Sequence, residues 1–99
     1  MAIDNPLMRI AAEMGSNLYD GAATYTGATL ATNIRSIYIR EDQAAMITAY
    51  SLDVKGTTVA QTGALSLVGK DLLAGDFYTF PYPLVSIQIS GGSFIGYQG

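Results

Sequence analysis

Asp71 and Asp76 flank one predicted turn, and two carboxylates held that way could serve as a glycosidase dyad or a calcium clamp. Calcium takes about six to eight oxygens, and no loop of alternating acids is present to supply them. The remaining acids are Asp4, Glu13, Asp20, Glu41, Asp42 and Asp53. Most of them fall at predicted turns or at the start of a predicted helix, where carboxylates accept main-chain N–H groups. Asp71 and Asp76 are read the same way. The chain has no histidine and no cysteine, which removes the usual proton shuttle, the usual thiol nucleophile and the common zinc, haem and iron–sulfur ligands. Lys70 falls at a predicted turn and is read as a solvated turn residue. Gly91, Gly92 and Gly96 are not followed by a helix start or a lysine, so they make no phosphate loop. The expectation is a protein that is not an enzyme and has no catalytic residue, cofactor or metal.

The enriched chemical feature is tyrosine: Tyr19, Tyr25, Tyr38, Tyr50, Tyr78, Tyr82 and Tyr97. Tyrosines on a sheet face can stack on sugar rings, which would make a lectin-like or receptor-binding module. They can equally anchor protein contacts, for which tyrosine is a favoured residue. Tryptophan, common in sugar sites, is absent. Protein contact is the preferred reading, with Tyr38, Tyr50, Tyr78, Tyr82 and Tyr97 as candidate interface residues.

These side chains must be carried by strands. In IRSIYIR, Ile37 and Ile39 alternate with Ser36, Tyr38 and Arg40, and this period of two marks a half-buried strand. Ala45–Tyr50 repeats the pattern after a polar turn at Glu41–Gln43. Shorter strands are expected at 57–61 and 64–68, then at 77–80. Pro81 and Pro83 should keep a central strand from running through that point, so that the chain changes direction or follows an edge. Val85, Ile87 and Ile89 alternate with polar residues, and Gly91-Gly92 signals a two-residue hairpin into the last strand, Ser93–Tyr97. The stretch DGAATYTGATLATN is extended and weakly specified. Turns at this frequency, without long helices, predict a mainly β chain: an antiparallel β-sandwich, jelly-roll-like or barrel.

Ahead of it, Pro6 after Asp4 and Asn5 begins a short helix, with Leu7, Ile10, Met14 and then Leu18 at helical spacing. A lone helix of this length needs a surface. Residues 1–20 are therefore expected to be a helical arm, with Leu7, Ile10 and Met14 as further candidate interface residues, and residues 21–99 the β domain. Whether the arm packs on its own domain or on a neighbour is open.

Composition favours assembly. Charged residues make up 13% of the chain, against about 25% in typical soluble domains. Interface centres are depleted in charge and enriched in Tyr, Phe and Met. Arg9, Arg35, Arg40, Lys55 and Lys70 are scattered, so no nucleic acid partner is expected. No run of about 18 apolar residues occurs, and none is expected to span a membrane. MAIDNPLMRIAAEM lacks the basic start and long apolar stretch of a secretion signal, which implies synthesis in the cytoplasm.

The stretch Ile34–Tyr97, with IRSIYIR, AAMITAYSL, DLLAGDFYTFPYPLVSIQI and GGSFIGY, resembles small β-structured virion proteins of tailed bacteriophages. That resemblance implies a capsid decoration or cement subunit, or a head-fibre component. It also implies the major capsid protein or other virion proteins as partners, and a homo-oligomer, most simply a trimer. It carries over no functional residues.

Overall fold

The computed structural model describes residues 16–63 and 65–99. The expected helix with Leu7, Ile10 and Met14 lies outside the described residues. The last part of the expected arm is a strand: Ser16–Asp20 forms β1, paired antiparallel with the final strand from Ser16↔Tyr97 to Asp20↔Ser93. Leu18 is exposed and Tyr19 buried, so the period here is two and not 3.6, and Leu18 belongs to no helix face.

From β1 the chain runs through β2 (Ala23–Thr26), a 3-10 turn (Gly27–Thr29), β3 (Ile34–Ile39), β4 (Ile47–Val54), β5 (Thr57–Ala60), β6 (Phe77–Ile89) and β7 (Ser93–Gln98). These strands make one seven-stranded sheet in the order β1-β7-β3-β6-β4-β5, with β2 also paired to β6. Every pairing among them is antiparallel. Of the strand expected at 64–68, the described residues Leu65–Val68 form turns and bends instead.

The long strand β6 organises the sheet. Along one edge it receives β3 at Phe77–Leu84 and then β2 at Ser86–Ile89, laid end to end, while β4 lines the other edge over Leu84–Ile89. Pro81 and Pro83 do not end this strand. The β3 partner jumps from Thr79, opposite Ser36, to Leu84, opposite Ile34. The prolines therefore sit in a bulge where no ladder bond needs their missing N–H. The expected Gly91-Gly92 hairpin is also corrected. The chain bends at Ser90 and Gly91 between the two strands, yet β6 and β7 are not neighbours, since β3 lies between them. The inserted strand takes up the ladder bonds that a hairpin would have made.

The core is built from the inward residues of the sheet and its connecting loops. Ile34, Ile37, Ile39, Met46, Ile47, Ile87 and Phe94 are fully buried. Tyr19 stacks on Phe94 at 5.0 Å, and Tyr25 meets Tyr19 edge-on at 5.1 Å. Leu72 enters the core from the loop before β6, held by mutual main-chain bonds with Gln43 (2.8 and 3.0 Å).

Candidate interaction surface

Antiparallel partners project their side chains to the same face of a sheet, so the registers define the face turned away from the core. One row of that face runs Leu18, Ile95, Tyr38, Phe77 across β1, β7, β3 and β6. The next runs Ser16, Tyr97, Ser36, Thr79. None of these residues belongs to the main core cluster. Tyr97 nevertheless is 2% exposed, and its ring lies 6.0 Å from that of Phe77. Burial holds the Tyr97 hydroxyl above the ordinary tyrosine pKa, and the neighbouring Tyr38 hydroxyl adds to that shift. Leu18, at the edge of the row, is 58% exposed.

Of the tyrosines expected to mark an interface, this face gathers Tyr38 and Tyr97. Tyr38 is half-buried. Tyr50 is a core residue: it is buried, tilts against Phe80 at 5.8 Å, and its hydroxyl accepts the Leu67 N–H (3.2 Å). Tyr78 and Tyr82 are half-buried and pack against the core cluster. The Tyr78 hydroxyl donates to Asp76 (3.1 Å); burial, that bond and the negative charge raise its pKa. Leu7, Ile10 and Met14 lie outside the described residues.

Among the described residues three leucines are strongly exposed, and of these sequence periodicity singled out only Leu18, for a helix face. Leu65 is fully exposed and Leu73 55% exposed, both on the segment between β5 and β6. Near Leu65 a cleft of about 390 Å³ is lined by Tyr50, Gln61, Ser66, Tyr78, Thr79 and Phe80, among others. Leucines in loops follow no period, so their spacing in the sequence gives no signal.

The carboxylates serve turns. Asp71 accepts the Ala45 N–H (3.2 Å), Asp76 the Leu73 N–H (3.0 Å), Asp42 the Ala74 N–H (2.7 Å) and Asp53 the Gly56 N–H (2.8 Å). Glu41 accepts the Ser93 hydroxyl (3.0 Å). Asp71 and Asp76 thus each tie down their own piece of main chain. Among the described residues no three or more acids gather where they could hold a metal ion, and no helix is long and apolar enough to cross a membrane.

In comparisons with protein-family models, curated proteins and solved structures, the chain finds no match.

Proposed function

We propose that this chain is a structural virion protein of a tailed bacteriophage. In this reading it is a capsid decoration or cement subunit that stabilises the head through contacts with the major capsid protein. The observation that carries the reading is the apolar row Leu18–Ile95–Tyr38–Phe77, set on the face opposite the core. A contiguous apolar row on an outer face favours a partner. The exposed Leu65 and Leu73 and the commitment of acids to turns support the same reading. Such a row can enter the centre of an interface of about 800 Å² per partner, with the charges of Asp20 and Arg40 left to its rim. For the architecture we favour a sandwich in which the sheet closes over its core about β6.

Mass spectrometry of purified particles tests the proposal directly. The chain should be present, and adding it to heads that lack it should raise their thermal stability. Its absence from particles, with no effect on heads, overturns the reading.

A lectin-like module is the second reading, favoured by the cleft where Tyr50, Tyr78 and Phe80 stand beside Gln61, Ser66 and Thr79. Saturable glycan binding lost on Tyr78→Ala would select it over the first.

A further inference from the structure

We infer that a second copy of this chain pairs with β1 across a two-fold axis at Leu18, joining the two sheets edge to edge. The argument begins with the main chain. The Gly21 N–H donates to the Gly92 carbonyl (3.0 Å), and the Arg40 N–H to the Ser93 carbonyl (3.1 Å). Bonding groups alternate sides along an antiparallel strand. With Gly21 bonded to β7, Tyr19 and Asn17 are too, and the N–H and C=O of Ser16, Leu18 and Asp20 point to the outside of the sheet. The Asp20 carbonyl also accepts the Tyr25 hydroxyl (2.9 Å), using one of its two lone pairs.

Among the described residues β1 pairs with β7 alone, and an unpaired edge of this kind is normally blunted by proline, lysine, a bulge or a covering element. The sequence SNLYD has neither proline nor lysine, and its register with β7 is unbroken. Leu18 is the middle residue of this five-residue strand. A two-fold axis there sets Leu18 against Leu18 and Ser16 against Asp20 of the second copy, so no like charges meet and a hydroxyl faces the carboxylate. The buried Tyr19 fixes which face turns inward, and a slip by one residue would expose it. The apolar row then continues without a break as Phe77, Tyr38, Ile95, Leu18 and the same residues reversed.

β2 and β5 likewise have one paired neighbour each among the described residues, but both are only four residues long and mostly exposed, so burial fixes no single register for a partner there. This pairing goes beyond the proposed virion role, and it is two-fold where the resemblance implies a trimer.

The test uses the full chain, which has no cysteine of its own. Native mass measurement should give a dimer at micromolar concentration, and Leu18→Lys, which sets two ammonium groups opposite each other, should weaken it by about tenfold or more. Circular dichroism should be unchanged, because Leu18 is 58% exposed. Leu18→Cys should form a covalent dimer under mild oxidation much faster than Leu73→Cys, an exposed site away from the axis. A monomer or trimer in the unmodified chain, an unchanged mass for Leu18→Lys, or equal cross-linking rates would overturn the inference. A monomer that still binds phage heads overturns this pairing alone and leaves the proposed function intact.

Discussion

The rings of Phe77 and Tyr97 meet at 6.0 Å although a whole strand separates them. Phe77 is on β6 and Tyr97 on β7, with β3 between. The residue of β3 opposite Tyr97 is Ser36, itself only 7% exposed. A serine is small enough to let the two rings close over it, so β3 is covered on its outer side as well as its inner one.

Ser36→Leu should therefore destabilise the protein by about 1–3 kcal/mol, the usual cost of forcing a larger side chain into a packed site. Urea unfolding measures this. Ser36→Ala should cost much less, since it keeps the space; equal losses for the two would show that the hydroxyl and not the volume matters.

The raised tyrosine pKa values set a pH dependence. Tyr97 is shifted up by burial and then by Tyr38, and Tyr78 by burial and then by Asp76. In the unfolded chain both ionise near the ordinary tyrosine value of about 10. Above that pH the unfolded state holds fewer protons than the folded state, so stability falls with rising pH until the folded-state values are passed. Below it the contribution is fully present. Denaturation between about pH 9 and 11 should show this fall, and Tyr97→Phe and Tyr78→Phe should each make it shallower.

Gly96 lies in β7 between two core side chains. A Cβ there would come within 3.1 Å of both Ile34 Cδ1 and Tyr19 Cε2. Gly96→Ala should lower stability by about 1–3 kcal/mol through overpacking. If Ile34→Val is added, the loss should shrink, since that change removes the clashing methyl; thermal melts of the single and double variants measure the coupling.

Gly96 and Leu18 illustrate which parts of the structure were legible in the sequence. The alternation in IRSIYIR and in VSIQI reflects one buried and one outer face, and both stretches are strands with Ile37, Ile39, Ile87 and Ile89 in the core. Local pattern could not reveal that β3 enters between β6 and β7, because a two-residue turn reads as a hairpin whatever pairs with its arms. Nor could it place Leu18, whose spacing from Leu7 and Met14 fits a helix while its own neighbours fit a strand. The outer face was half legible. Tyrosines marked it at Tyr38 and Tyr97, but equally marked the core at Tyr50, because tyrosine serves both settings.

Asp71 provides a test of the carboxylates as structural groups. It accepts the N–H of Ala45, a residue held at φ 47°. That left-handed backbone costs a non-glycine residue about 1–2 kcal/mol. Ala45→Gly should therefore be neutral or stabilising by up to about 1 kcal/mol. Asp71→Ala should destabilise by about 1–2 kcal/mol, in line with loss of a charge-assisted bond. Added calcium should leave the melting temperature of the unmodified chain unchanged, whereas a rise reversed by a chelator would return Asp71 to the role of ligand.

Asn17 is the remaining anomaly. It sits on β1 opposite Gly96, and its side-chain nitrogen is buried without a hydrogen-bond partner. A buried donor left unpaired costs about 1–3 kcal/mol, and replacing it with an apolar group of similar shape recovers part of that. Asn17→Val should accordingly raise stability by about 1 kcal/mol, helped by the higher strand propensity of valine. Asn17→Asp should do the opposite, because it replaces the amide with a charge in the same dry position. Melting temperatures of the two variants, measured at one protein concentration, separate these effects from any change in association. If Asn17→Val were instead destabilising, the amide would have to be making a bond that holds β1 in place.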